Sequence, residues 1–253
     1  MLGPLSAGMI GAETIGAGIG AAGACLGYAV RGRSAALLAP SVWRGSRLRP
    51  VLALTFDDGP SESTSEILHL LEKHDIRATF FMCGANVRRL PVVAREVRAA
   101  GHEIGNHSDM HPRFDFKSPA FIHGELARAQ ESIAAATGFT PALFRAPYGV
   151  RWFGMRRAQH GLGLTGVMWT IIGQDWKLPA PCIVRRLLGA TNGAILCLHD
   201  GRTIQPAPDI GATVEALRIA LPRLIERGFR FETVGELVSL SLRQTAQSCP
   251  IPS

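Results

Sequence analysis

The sequence predicts one α/β domain built on a parallel sheet, open or closed into a barrel, and three observations predict it. Short β-rich runs alternate with helical patterns seven times between residues 51 and 242. No linker or internal repeat interrupts them. Ionisable residues collect at the carboxyl ends of the runs, the rim where barrels of this kind carry reactive groups. The 253 residues are 47% apolar, enough to bury a sizeable core and to exclude disorder of the bulk.

The strands are expected at 51–56, 78–83, 103–107, 143–146, 165–170, 194–199 and 229–233, where β-branched, aromatic and other apolar residues cluster between turn signals. Helical spacing of apolar residues predicts helices at 63–74, 90–100, 119–136, 150–160, 180–188, 210–225 and 234–242. Ser63 with Glu66 three residues later reads as a helix start, and Gly101, Gly138 and Gly228 read as stops. Residues 243–253, with Pro250 and Pro252, read as a tail.

Residues 1–30 differ from the rest: one charged side chain, Glu13, and eight of the 28 glycines. The uncharged run 14–30 reaches only the lower length limit of a membrane-spanning helix. It reads as a membrane anchor or uncleaved signal, with an N-terminal extension as the alternative. Residues 31–49 read as an arginine-rich linker, and their arginines favour a cytoplasmic location for the domain beyond them. Gly18, Gly20 and Gly23 have a dinucleotide-binding spacing, but no strand precedes them.

Lys and Arg exceed Asp and Glu by 27 to 20, for a net charge of +7. The cations are nearly all arginines scattered through helical stretches, so no nucleic-acid footprint or partner is indicated. The five cysteines, Cys25, Cys83, Cys182, Cys197 and Cys249, form an odd set with no short spacings, which argues against a thiolate metal site and a disulfide framework.

Asp57 and Asp58 follow the first run, His107 ends the third, Arg145 ends the fourth, Asp175 follows the fifth, and His199 ends the sixth. His107 and His111 are four apart and would face the same way on one helical turn. Taken singly, these motifs also read as aspartates beside a Gly-Pro turn and as packed histidines. Together, Asp58, His107 and His111 offer one oxygen and two nitrogens, the complement of a catalytic zinc or related divalent ion. Asp57 would then stand close enough to take a proton from the attacking water.

Five segments in this order, TFDDGP (55–60), HSDMH (107–111), RAPYG (145–149), QDW (174–176) and LCLHD (196–200), resemble the polysaccharide deacetylases of the NodB homology domain, carbohydrate esterase family 4. The resemblance covers about residues 50–240. It implies a distorted (β/α) barrel with about seven parallel strands over 50–242. It implies Asp57 as general base, Asp58, His107 and His111 as metal ligands, and Arg145 as the group that orients the base. The Tyr148 N–H would bind the oxyanion, Asp175 would tune His199 as the acid, and Pro147, Trp176 and Leu198 would line an acetyl pocket. The cofactor it implies is a divalent metal, zinc first, with Co2+, Ni2+ or Mn2+ as alternatives. The substrate it implies is an acetylated glycan, chitin-like or peptidoglycan-like, at the cell envelope. Ile172 stands where many members have an aspartate. The competing readings are a hydrolase of a non-carbohydrate amide and an inactive glycan-binding module.

Overall fold

The computed structural model describes residues 24–239. In chain order these form helix α1 (24–31), β1 (Ser41–Val42), β2 (Val51–Gly59), α2 (Thr64–Lys73), β3 (Thr79–Met82), α3 (Gly84–Arg89), α4 (Pro91–Ala99), β4 (Glu103–Asn106) and α5 (Pro119–Thr137). They continue with β5 (Leu143–Phe144), α6 (Met155–Gly161), β6 (Thr165–Val167), β7 (Ile171–Ile172), α7 (Ala180–Leu188), β8 (Ile195–His199), α8 (Gly211–Glu226), β9 (Arg230–Phe231) and helix α9 (234–239). All strand pairs are parallel, in the order β1-β6-β5-β4-β3-β2-β8-β7, with β9 also on β2. β6 pairs with β5 and β7 pairs with β8, yet only residues 168–170 separate them. The chain itself therefore joins the two sides of the sheet, and the architecture is a distorted (β/α) barrel. The strand expected at 165–170 stops at Val167 and a second short strand follows at Ile171–Ile172, with Met168 N–H bonded to Val42 O and Thr170 N–H to Ile195 O between them.

Strand alternation decides what lies inside. In β2, Leu52, Leu54 and Phe56 pack in the layer under the helices, whereas Val51 and Ala53 belong to the interior cluster. The period of two then sends Thr55 and Asp57 inward. In β8, Leu196 and Leu198 face the helices while Ile195 faces inward, so Cys197 and His199 do too. Leu143 is interior, which aims Arg145 the same way. The interior is apolar at the amino ends of these strands and polar at their carboxyl ends.

The helices cover the outer layer with one apolar stripe each, as in α7, where Ala180, Ile183, Val184 and Leu187 are buried at helical spacing. In α5 the Ser118 hydroxyl caps Phe121 N–H, and Gly138 ends the helix in the left-handed region. The start signal at Ser63 works differently from expectation. Its hydroxyl donates to Pro208 O and Glu66 pairs with Arg218, so no capping box forms. Helix α6 begins at Met155 instead of residue 150, because Gly154 at φ +89° packs on Pro119 and breaks the helical path.

Residues 31–49 are part of the domain and not a linker. β1 adds to β6, Arg33 donates to Thr170 O, Arg44 to Asn192 O, and Arg49 pairs with Glu232. The fully buried Arg151 donates to Ala35 O and Gly32 O. Three of the arginines that suggested a cytoplasmic location thus have partners in the fold. The reading of 1–30 falls mainly on residues 1–23, which lie outside the described residues, as does the tail 243–253. Among the described residues, no helix is long and apolar enough to cross a membrane.

Candidate active site

The central observation is a cavity of about 400 Å³ at the carboxyl ends of the strands, lined by Asp57, Asp58, His107, His111, Tyr148, Trp176 and His199. Segments so far apart along the chain have no reason to meet except at a common rim. Trp169, Ile172, Arg202, Thr203 and Gln205 complete the wall.

Asp58 reaches the cavity through a local irregularity. The β2–β3 register shifts between Asp57 and Gly59, so Asp58 is the extra residue of a bulge, with φ +73°. A regular strand would send adjacent side chains to opposite faces; the bulge re-aims Asp58 beside Asp57. Asp58 Oδ1 lies 3.3 Å from His107 Nε2 and 3.0 Å from His111 Nε2, and Oδ2 accepts the Thr203 N–H. Burial opposes the charge on this carboxyl, yet His107 and His111, with the field of His199, hold it well below the usual carboxylate range.

The two histidines share no helix. Residues 107–111 form a loop in which Ser108 (φ +66°) and His111 (φ +55°) take left-handed backbone, stitched by Ser108 N–H to Asn106 Oδ1 and His111 N–H to Ser108 Oγ. The four-residue spacing still brings the rings together, with centroids 5.0 Å apart. His107 Nδ1 lies 2.8 Å from Arg145 O, which can only accept, so this nitrogen carries the proton. With Nδ1 engaged, Nε2 is the ring atom left facing Asp58 Oδ1, a buried oxygen without a hydrogen-bond partner. A cation between these atoms would satisfy them together. The three donors, all buried and within 4.8 Å of one another, fit a divalent ion, and the Nδ1–H to carbonyl bond is the outer support that metal-binding imidazoles use.

Asp57 faces the same cavity from a different set of contacts. Its Oδ1 accepts from Arg145 at 2.6 Å, and its Oδ2 from the Cys197 thiol at 3.4 Å. Burial and the field of Asp57 push the Cys197 thiol up, so it stays protonated and donates. Arg145 is fully buried; it also bonds Thr55 Oγ1 and lies 4.2 Å over the Phe81 ring. Among the described residues its one paired carboxylate is Asp57, which is therefore fixed in position by a charge-assisted bond. Asp57, Cys197 and His199 form a second group of donors within 4.8 Å.

On the neighbouring strand, in register with Asp57, His199 Nδ1 lies 2.8 Å from Asp175 Oδ1. Asp175 Oδ2 accepts from His199 N–H and from Thr213 Oγ1, so the carboxylate is immobile. Burial disfavours the imidazolium, but Asp175, with the more distant Asp58 and Asp57, pushes His199 up to about 9. The raised value stabilises the fold fully below pH 6.5, and the contribution is lost as pH rises through about 9. Asp175→Asn leaves burial without its largest opposing charge. If His199 supplies a proton in turnover, Asp175→Asn is expected to move the alkaline limb of kcat/KM down by more than about one unit. An unchanged limb in the variant would separate Asp175 from the titration.

Tyr148 has φ +57° and stands against His111, with ring centroids 4.7 Å apart. The turn's hydrogen bonds use the N–H groups of Gly149 and Val150 and not that of Tyr148. Trp176 meets His199 edge-on at 5.1 Å. Of the expected pocket residues, Leu198 belongs to the apolar cluster under the helices and Pro147 is buried in the turn, and neither is among the residues that line this cavity. Residues 202, 203 and 205 carried no periodic or motif signal. Cys197 could have been found from its parity with His199.

With this geometry in place, comparison with known proteins is decisive. Residues 44–167 match the family model described as polysaccharide deacetylase. A chitooligosaccharide deacetylase of Bradyrhizobium sp. (strain ANU 289) is 36% identical over 194 residues, 73% of this chain and 89% of the relative. The chain belongs to the polysaccharide deacetylase family. The peptidoglycan-N-acetylglucosamine deacetylase PgdA of Listeria monocytogenes is 33% identical over 195 residues, 76% of this chain. The match spans only 40% of that relative's length. Among solved structures, the Bc1960 peptidoglycan N-acetylglucosamine deacetylase superposes with a TM-score of 0.73 at 28% identity, covering 78% of this chain and 92% of the other.

Proposed function

We propose that this polysaccharide deacetylase removes N-acetyl groups from an amino-sugar polymer by hydrolysis, releasing acetate and leaving a free amine. One observation carries the reading: a carboxylate anchored by a buried arginine and a histidine anchored by a buried aspartate face one cavity, beside a converging carboxylate and two imidazoles. Amide hydrolysis needs a base for the water and an acid for the leaving nitrogen, and these two anchored groups are so disposed.

Asp58, His107 and His111 would hold a divalent metal, with zinc preferred for a ligand set of one carboxylate and two imidazoles. When bound, such an ion polarises the acyl oxygen and acidifies water. Asp57, held by Arg145 and Cys197, removes the water proton as the bond to the acetyl carbon forms. The Tyr148 N–H, left free by the turn, donates to the oxygen that gains charge. His199, kept cationic by Asp175, protonates the nitrogen as the C–N bond breaks. Trp169, Ile172 and Trp176 give the cavity apolar walls suited to a methyl group. Ile172 makes this wall less polar than the aspartate found in many relatives of the NodB type.

The likeness to both chitooligosaccharide and peptidoglycan deacetylases supports an N-acetylglucosamine-containing glycan and a place at the cell envelope. Acetate release measured on acetylated chitooligosaccharides, peptidoglycan and small linear amides, with zinc or cobalt supplied, tests the reading. Turnover of the glycans and not of the amides is expected; the reverse preference would contradict it.

A further inference from the structure

A second surface of the domain has a composition unlike the rest. Segments 24–37, 113–121 and 151–157 lie together: Arg151 N–H bonds Val30 O, Arg156 bonds Ala36 O and Leu37 O, Phe116 meets Trp152 at 4.8 Å, and Gly154 packs on Pro119. Phe116 is 85% exposed, Leu37 75%, Tyr28 57% and Phe153 56%. Trp152 bridges two of them, with its ring also edge-on to Phe153 at 5.2 Å. Exposed aromatic groups gathered at one place mark an interaction surface, whereas scattered ones do not.

The charge around them is one-sided. The three segments carry seven cationic side chains, Arg31, Arg33, Arg113, Lys117, Arg151, Arg156 and Arg157, against one acid, Asp115. Arg151 is buried and Arg113 pairs with Asp115, while Arg31, Lys117, Arg156 and Arg157 are exposed around the aromatic rings. The chain enters this patch directly from residues 1–23, whose only charged side chain is Glu13. Interfacial aromatics, a ring of cations and an adjoining apolar stretch are what an anionic bilayer surface accepts together.

We propose that this patch docks the domain onto an anionic lipid bilayer, with Trp152, Phe153 and Phe116 at headgroup depth and the surrounding cations against lipid phosphates. The contact is separate from any insertion of residues 1–23 and orients the domain. The loops that carry Phe116 and Trp152 are the same loops that carry His111 and Tyr148, so docking brings the cavity's rim close to the membrane plane. The proposal stands apart from the deacetylase reading.

The test uses the full chain with vesicles of phosphatidylglycerol mixed with phosphatidylcholine, some carrying bromine on the upper acyl carbons. Bromine should quench a fraction of the tryptophan emission of the parent. Trp152→Phe should abolish that fraction while the other tryptophans stay unquenched, and adding Phe116→Trp to it should restore quenching. Joint Phe116→Ser and Phe153→Ser should remove the fraction as well, by roughly tenfold or more in apparent partitioning. Pure phosphatidylcholine should quench far less. Equal quenching of parent and Trp152→Phe overturns the proposal. So does protection of Trp152 by soluble chitooligosaccharides without any response to vesicles, which would make the patch a glycan platform. Turnover of a soluble substrate by Trp152→Phe confirms that the variant is folded.

Discussion

Asp57→Asn hydrolyses acetylated glycan about 10²- to 10⁴-fold more slowly than the parent while binding metal with parental affinity. The size of the loss reflects the single capacity removed. Asn occupies the same space and its Oδ1 still accepts from Arg145 NH1, so the geometry that holds Arg145 against Thr55 and Phe81 persists. What disappears is the capacity to take a proton. The metal is spared because Asp58, His107 and His111 form the ligand group without Asp57. Ala in place of Asn is a poorer test, since it leaves the buried Arg145 with no partner at that site and costs about 3–5 kcal/mol of stability. Acetate release together with zinc titration by calorimetry checks the result. Parental turnover by Asp57→Asn would remove the residue from the role of base.

His111→Ala shows the opposite pattern, losing metal first and activity as a consequence. One of three converging donors is gone, and zinc affinity falls by more than about 100-fold, beyond the effect typical of losing an outer-shell partner. His111 also packs against Tyr148, so the truncation frees the aromatic wall that closes this side of the cavity. Chelation of the parent should reproduce the activity loss, and added zinc or cobalt should reverse it in the parent alone. Equilibrium dialysis of the two proteins reads the difference. A variant that retains one zinc per chain at parental affinity would contradict the assignment of His111.

Much of this site was legible because strand ends are legible. TFDD and LCLH each announce a buried strand whose last inward residue is ionisable, and their order along the chain sets both on one rim. The same period of two, applied to β8, sends Leu198 into the cluster on the helix side. Asp58 was harder to read, because its direction depends on a bulge and a positive φ, which two adjacent aspartates do not signal. HSDMH placed its histidines correctly by spacing while suggesting the wrong backbone; the loop folds on contacts from Asn106 and Ser108 that periodicity does not encode.

Two of the two-residue strands escaped for another reason. β1 and β7 are too short for any alternation to register, and they form because Val42, Trp43 and Thr170 find long-range hydrogen-bond partners. The same holds for Arg33, Arg44 and Arg49, whose partners lie about 140 to 180 residues away. As a string they read as a charged linker. Folded, they fasten the approach to β2 onto the barrel.

The two donor groups in the cavity make a direct measurement available. X-ray absorption at the zinc edge of the loaded protein should show two imidazoles and oxygen neighbours near 2.0–2.1 Å, with no sulfur shell at about 2.3 Å. That result places the ion on Asp58, His107 and His111. A sulfur neighbour would place it on Cys197 with Asp57 and His199 instead, leaving no free base and no free acid, and contradicting the division of roles between the two groups.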